Sequence, residues 1–164
     1  MLIICKVCIF LYNYFLCNLC RKDLEDIVEL DRDFENFDVE HNRNQFCWDY
    51  QDYIFLLTKR KSLLTLMKNR QKIIGFCLSV IVGFESELYK IIIQKEYRNK
   101  GLGKILLLFH LGSLKIMGVG FSFLEVSHIN FPAICLYKKI GYKVEYVRKK
   151  YYINSDALVM KREL

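Results

Sequence analysis

The stretch best equipped for chemistry is Ile91-Ile92-Ile93-Gln94-Lys95-Glu96-Tyr97-Arg98-Asn99-Lys100-Gly101-Leu102-Gly103-Lys104. An apolar β run enters a polar loop with two glycines, and the loop opens a helix. Backbone N–H groups at a helix start have no partner within the helix and sit at the positive end of its dipole, so they bind phosphate oxygens. Gly101 and Gly103 let a phosphate approach the backbone with no Cβ in the way. Arg98, Lys100 and Lys104 add positive charge. Two other phosphate loops fail on spacing. G-x-x-x-x-G-K-[ST] is absent, and a dinucleotide fingerprint needs a third glycine where Leu106 stands. Glu125 falls near the position of a ribose-binding acid, but the antiparallel runs that precede the loop disfavour that fold.

Other reactive side chains carry less. Cys5-Lys-Val-Cys8 and Cys17-Asn-Leu-Cys20 are two C-x-x-C pairs with zinc-like spacing. The segment between them is almost wholly apolar and lacks the polar turns of a metal knuckle, so no metal is expected. Seven cysteines, an odd number, fit reduced core thiols better than a secreted disulfide framework. His128 has the chemistry of a base, yet a lone loop histidine is more often an exposed bystander. His41 and His110 weigh less still.

The elements that must position these residues follow from periodicity. Arg21 to Leu30 has helical spacing, Asp33 to Asn44 reads as a loop with a partial helical turn, and Trp48 to Leu57 as a second short helix starting near Asp49. The segments 62–67, 73–82 and 87–93 read as strands of an antiparallel meander. Gly101 to Met117 is a long helix with Leu102, Ile105, Leu106, Phe109 and Leu114 on one side, ended by Gly118 and Gly120. Segment 121–126 is a short buried strand. Asn130 is a good N-cap, Pro132 lies in the first turn of the helix that follows, and Gly141 stops it. Segments 142–152 and 157–162 are the final strands. With a first strand near 12–19, the order is β-α-α-β-β-β-α-β-α-β-β, a mixed α/β fold.

Composition sets the bounds. The chain has 164 residues, 53% hydrophobic, with eight glycines and one proline, which suits one packed domain and excludes disordered, collagenous and repeat classes. The net charge of +7 is uneven: residues 1–60 carry −4 and residues 61–164 carry +11. A basic half suits a phosphate-bearing ligand as well as nucleic acid. The first twenty residues are just long enough for a membrane span, but Lys6 and Asn13 interrupt them. They read as an extension, with residues 1–12 preceding a domain over 13–164, and the expected location is the cytoplasm.

Arg98-Asn99-Lys100-Gly101-Leu102-Gly103 fits [QR]-x-x-G-x-[GA], the acyl-CoA signature of the GNAT N-acetyltransferase superfamily. Leu124-Glu125-Val126-Ser127-His128-Ile129-Asn130, Ala133-Ile134-Cys135-Leu136-Tyr137, Ile140-Gly141-Tyr142, Arg148-Lys149-Lys150-Tyr151-Tyr152 and Asp156-Ala157-Leu158-Val159-Met160 resemble the branch of bacterial ribosomal-protein-alanine N-acetyltransferases. The resemblance covers about residues 13–164. It implies a GNAT fold, a central and mostly antiparallel sheet flanked by helices, and acetyl-CoA as acetyl donor. It implies that Ile91, Ile92 and Ile93 offer backbone groups to the acetyl and pantetheine part, that Arg98, Asn99, Lys100, Gly101, Leu102, Gly103 and Lys104 hold the pyrophosphate, and that Asn130 bonds the donor. It makes Glu125 the proton acceptor and Tyr137 the proton donor.

The chemistry agrees with those roles. An α-amine is mostly protonated at neutral pH and needs a base. The reacting carbonyl oxygen needs a donor, which an N–H near Ile93 supplies. The departing thiolate needs a proton, which a tyrosine hydroxyl can give. The acidic run 23–40 would draw a basic protein or peptide N-terminus, with a ribosomal protein the first choice and a polyamine or antibiotic the second; a third reading is a module tethered to a membrane through residues 1–20 that holds CoA without turnover. Tyr151 and Tyr152 resemble the tyrosines that hold a peptide backbone in N-terminal acetyltransferases, and Trp48 is placed at the same entrance. Direct nucleic-acid binding is not expected. Three stretches depart from the family pattern: the first twelve residues, the longer link between the first two helices, and the shorter loop Ile153-Asn154-Ser155. All three border the peptide site.

Overall fold

The run Lys72–Val82, apolar at nearly every position, forms a strand covered on both faces. The computed structural model describes residues 3–11, 14–15, 19–38, 48–152 and 155–164. In chain order it contains β1 (Ile3–Leu11), β2 (Tyr14–Phe15), α1 (Arg21–Asp38), α2 (Tyr50–Lys59), β3 (Ser62–Asn69), β4 (Lys72–Val82), β5 (Glu85–Ile93), a single 3-10 turn (Lys95–Tyr97), α3 (Leu102–Ile116), β6 (Phe121–Ser127), α4 (Phe131–Ile140), β7 (Lys143–Tyr152) and β8 (Ser155–Glu163). The strands form one eight-stranded sheet in the order β2-β1-β3-β4-β5-β6-β8-β7. Every neighbouring pair is antiparallel except β5 and β6.

Helices cover the sheet on both sides. On one face Leu24, Ile27 and Val28 of α1 and Tyr53 and Leu57 of α2 pack on Leu64, Leu66, Phe76, Leu78 and Ile92. On the other, Leu106, Leu107, Leu111 and Leu114 of α3 and Ile134 and Ile140 of α4 pack on Leu63, Met67, Ile74, Cys77, Leu124, Val126 and Met160. The two cores share no residue because side chains alternate across each strand. His110 of α3 lies wholly inside the second core. Its two ring nitrogens meet the hydroxyls of Thr65 (2.8 Å) and Ser79 (2.7 Å), and burial pushes its pKa down to about 3, so it stays neutral.

Caps mark the helix ends as the sequence leads one to expect. Asp49 and Asp52 form a reciprocal capping box at α2. Asn130 accepts from the Ala133 N–H at 3.2 Å, and Gly141, at φ +101°, closes α4.

Three expectations change. Asp33 to Asp38 continue α1, because polar residues without Gly or Pro do not stop a helix; 39–44, His41 included, lie outside the described residues. The strand near 12–19 is described only at Tyr14–Phe15, while Ile3–Leu11 pairs along β3 from Asn69 to Ser62; Cys17 lies outside the described residues, as do Ile153 and Asn154. On α3 the buried positions are Leu102, Leu106, Leu107, His110, Leu111 and Leu114, and Ile105 and Phe109 face outward. That helix is apolar nearly all round, so spacing alone does not select its inner face.

Candidate functional site

The parallel pair β5–β6 creates the site. Its register runs only from Glu85–Phe121 to Leu88–Leu124. At that point the β4–β5 register shifts between Leu78 and Ser79, which leaves Tyr89 without a partner on β4. Such a bulge bends a strand. Beyond it β5 continues to Ile93 and β6 to Ser127 as the rims of a gap.

Backbone alternation decides what β5 offers to that gap. The Gln94 N–H donates to the Ile74 carbonyl at 2.8 Å. By the antiparallel pattern Ile92 and Lys90 also turn their backbone to β4, so Ile91 and Ile93 turn theirs to the gap. This corrects the expectation for Ile92, whose backbone is taken by β4 and whose side chain packs in the α1/α2 core. The Ile93 carbonyl accepts from Nε of Arg98 at 2.9 Å. Behind it β4 has Gly75, where a Cβ would stand 2.8 Å from the Ile92 carbonyl oxygen.

The first turn of α3 closes one end. Gly101 adopts φ +74°, and a Cβ there would meet nothing within 4 Å. Asn99, at φ +59°, takes the left-handed shape that asparagine tolerates. The first helical bond runs from the Ile105 N–H to the Gly101 carbonyl (3.2 Å), so the amides of Leu102, Gly103 and Lys104 precede the ladder. Lys100 donates to the Glu96 carbonyl at 2.9 Å and sits over the Tyr97 ring, and Tyr97 is tied to Asn69. Lys104 is exposed, while Leu102 is buried. A Cβ on Gly103 would touch Leu136 (3.7 Å) and Ile93 (3.8 Å), so this turn abuts both α4 and the rim of β5.

Glu125 and Tyr137 lie on opposite faces of the sheet. Tyr137 belongs to the α3/α4 core, edge-on to Tyr142 at 5.8 Å. Burial first, then the nearby Tyr142, Cys77 and Tyr152, push its hydroxyl pKa far above the ordinary value. Glu125 lines a cleft of about 610 Å³ on the α1/α2 side, together with Phe55, Arg60, Glu87, Tyr89, Tyr146 and Arg148. Arg148 Nη1 stands 2.7 Å from Oε1 of Glu125, and the same carboxylate, then burial, raises the Tyr151 hydroxyl above its ordinary pKa. Tyr152 packs edge-on to Tyr151 at 5.1 Å and feels both Glu125 and Tyr137; burial, then Glu125 and Tyr151, lifts its hydroxyl to about 12.

Trp48 stands behind the cleft rather than in its lining. Its ring meets Tyr53 and Tyr89 edge-on and lies under Nζ of Lys90 at 4.7 Å. Lys90 in turn pairs with the buried Asp31, which Tyr53 also holds at 2.8 Å. Asn130 uses its amide oxygen for the α4 cap. His128 is exposed, its ring against the Asp156 backbone N–H at 3.2 Å.

Sequence reasoning missed Glu87, Tyr89, Arg60 and Arg148 as cleft residues. Glu85 and Glu87 alternate onto the face of Glu125, but only the parallel pairing of β5 with β6 brings them beside it. Burial and the charge of Glu125 lift the Glu87 carboxyl above the usual range, and Arg148 opposes the shift.

A splayed parallel pair with an anion-ready helix start at its mouth suits a long thioester bearing a diphosphate. The model of the Acetyltransferase (GNAT) family matches residues 24–142. The chain belongs to the GNAT acetyltransferase family. It is similar to the [ribosomal protein bS18]-alanine N-acetyltransferase of Haemophilus influenzae, with 36% identity over 73% of this chain and 82% of that one. The Escherichia coli (strain K12) protein of the same name is 28% identical over 74% of this chain and 81% of its own length. The crystal structure of the E. coli ribosomal-protein-S18-alanine N-acetyltransferase superposes with a TM-score of 0.76 at 22% identity, covering 98% of this chain and 94% of that one. A Thermoplasma acidophilum PaiA N-acetyltransferase, solved with coenzyme A, gives 0.78 at 21% identity over the full length of both. Those two likenesses speak for the fold, a mixed α/β GNAT sheet.

This GNAT protein is an N-acetyltransferase that takes its acetyl group from acetyl-CoA. Its residues fit that donor: the unsubstituted Gly101 turn and the α3 amides for the diphosphate, the Ile91 and Ile93 amides for the arm in the gap. Among the described residues no group of three or more His, Cys, Asp or Glu side chains could hold a metal ion, and no helix is long and apolar enough to cross a membrane.

Proposed function

We propose that this GNAT enzyme acetylates a protein N-terminal amine, and that its acceptor is the N-terminal alanine of a small-subunit ribosomal protein. Relatives named for that activity at 28–36% identity support the acceptor. The observation that carries the reading is the placement of Glu125 in an open cleft on the face opposite Tyr137, with the β5–β6 gap between the faces.

Bound acetyl-CoA supplies an acetyl group activated as a thioester. The chain's residues handle position and protons. The α3 amides and Arg98 to Lys104 anchor the donor's phosphates, with Asn130 as a further partner. The Ile93 N–H points into the gap, where it stabilises negative charge on a carbonyl oxygen. A free α-amine has a pKa of about 8, so it arrives mostly as ammonium, and a Glu125 oxygen takes its proton. On the other face the Tyr137 hydroxyl keeps its proton until the thiolate needs it. Tyr151 and Tyr152 hold the first residues of the acceptor, and Trp48 braces that entrance through Tyr89.

The test is an acetylation panel read by mass spectrometry: peptides differing in the N-terminal residue, an internal-lysine peptide, a polyamine and an aminoglycoside. Acetylation concentrated on N-terminal alanine is the expected result, together with a 42 Da gain (roughly, from the acetyl group replacing a proton) on one small-subunit ribosomal protein. Preference for the polyamine or the antibiotic would overturn the protein-acceptor reading.

A further inference from the structure

Five charged residues line the cleft: the carboxylates of Glu85, Glu87 and Glu125 and the guanidinium groups of Arg60 and Arg148. Their sum is −1, so one further cation completes the site. The contact between Arg148 and Glu125 stands out for its asymmetry. Glu125 lies on β6, an interior strand between β5 and β8, and its side chain is 17% exposed. Arg148 lies on β7, the edge strand, and its side chain is 46% exposed. Next to it the β7–β8 register shifts between Arg148 and Tyr152, and Lys150 takes φ +53°. A long flexible cation on an irregular edge thus faces an anion fixed in the sheet. A second carboxylate, Glu87, feels the charge of both.

We infer that Arg148 is a tethered counter-ion: it holds the place of the acceptor's ammonium group on Glu125 and passes to Glu87 when the acceptor enters. This rests on the reading of Glu125 as the residue that receives the acceptor amine. The physical argument is charge conservation at one oxygen. Oε1 of Glu125 is engaged by Nη1, so an ammonium that takes over this contact displaces the guanidinium from it. Exchanging cation for cation keeps Glu125 paired, and with Arg148 retained in the cleft on Glu87 the added ammonium takes the sum from −1 to zero, whereas a neutral nucleophile would leave Arg148 in place. The site therefore admits acceptors that arrive protonated. Glu87 gives the displaced guanidinium a destination within the cleft, since it lines the same cleft and already feels the Arg148 charge at rest. Arg148 is a positioning residue in this scheme; it touches neither acetyl group nor thiol.

The experiment is steady-state acetyl transfer with the full chain, acetyl-CoA saturating and the acceptor varied, for the wild type, Arg148→Gln, Glu87→Gln and the double variant. The acceptor is whichever amine the wild type acetylates best. Failure of the N-terminal alanine reading therefore leaves this test in force with a different amine. Arg148→Gln is expected to lower the acceptor KM roughly two- to fivefold, the scale of a partly exposed ion pair, with the KM for acetyl-CoA unmoved. Glu87→Gln is expected to raise the acceptor KM by a similar factor, and to change nothing once Arg148 is gone. A residue that only props up the strand or binds the acceptor would raise KM when removed. An unchanged or higher acceptor KM in Arg148→Gln overturns the counter-ion role. An equal effect of Glu87→Gln in both backgrounds overturns the transfer to Glu87. Arg148→Met, which keeps the bulk of the side chain, must give the same sign, and thermal melts confirm that each variant is folded.

Discussion

Gly75→Ala tests whether the rim of β5 positions the reaction. A Cβ at Gly75 would lie 2.5 Å from Cδ1 of Ile93 and 2.8 Å from the carbonyl oxygen of Ile92. The first contact is cheap, because a methyl at the end of a side chain can rotate away. The second is not, because that oxygen is part of the β5 backbone and is held to β4 on the same side. Restoring an ordinary 3.4 Å contact requires β5 to retreat by about 0.6 Å. The next residue along is Ile93, whose N–H faces the gap. A misplacement of 1 Å near the chemistry costs about a hundredfold, so this shift should lower turnover roughly tenfold. Overpacking should cost about 1–3 kcal/mol, a fall in melting temperature of roughly 3–10 °C for a chain of this size. The assay is thiol release from acetyl-CoA beside a calorimetric melt. Gly112→Ala is the control: that glycine is inside α3 with nothing within 4 Å of a built Cβ, so it should keep full turnover and gain up to about 1 kcal/mol. Full turnover and an unshifted melt in Gly75→Ala would refute the reasoning.

Tyr137→Phe should cut turnover roughly a hundredfold, the lower end of what a proton donor contributes, while calorimetry finds the affinity for acetyl-CoA within about twofold; normal turnover would remove Tyr137 from the mechanism. Glu125→Gln should lower turnover while leaving the affinity for acetyl-CoA within about twofold, and full turnover would point to another base. Asp23→Asn probes the link between α1 and β3. Burial alone would raise the Asp23 carboxyl, but Lys68 and the Cys20 N–H outweigh it and hold the pKa below the ordinary value. A lowered folded pKa stabilises above the unfolded pKa of about 4 and is lost as pH falls through the folded pKa. The variant should therefore be less stable by about 0.5–1 kcal/mol at pH 7, allowing for solvent screening, and match the wild type near pH 2; a gap that persists there in urea melts would argue against the ion pair.

Local signals in the sequence carried far where they stood alone. Asn130, Pro132 and Gly141 frame α4 because each acts on its own neighbours through a cap, a fixed φ or a left-handed turn. The glycine loop before α3 is legible for the same reason. The inner face of α3 is not, since apolar residues ring the helix and only the sheet chooses between Ile105 and Leu107. Nor does spacing announce His110 as a core residue, because its partners Thr65 and Ser79 come from two distant strands. Glu125 stands out in the sequence through family likeness, but its companions do not. Glu87 joins it through the one parallel pairing of the sheet and Arg148 by way of β8, which lies between β6 and β7. The backbone role of Ile92 fails for a related reason: the direction of an N–H depends on which strand lies on which side, a fact the run Ile91-Ile92-Ile93 does not contain.

The opposite placement of Glu125 and Tyr137 constrains how two substrates can meet. A sheet is a wall, and its neighbouring strands normally close it with a ladder of hydrogen bonds. Here the ladder between β5 and β6 ends at Leu88 and Leu124, so the wall is open where the Ile93 amide looks across to β6. On the proposed roles, a proton leaves the acceptor amine on the α1/α2 face and another reaches the thiolate on the α3/α4 face, with the reacting carbon between them. One side chain serving both tasks would have to cross the sheet. Two fixed groups avoid that motion, and Tyr152, whose hydroxyl feels both Glu125 and Tyr137, lies where the two environments touch. The different surroundings then match the different duties. Glu125 stands in an open cleft that an ammonium ion can enter, and Tyr137 sits in an apolar core that disfavours its ionised form.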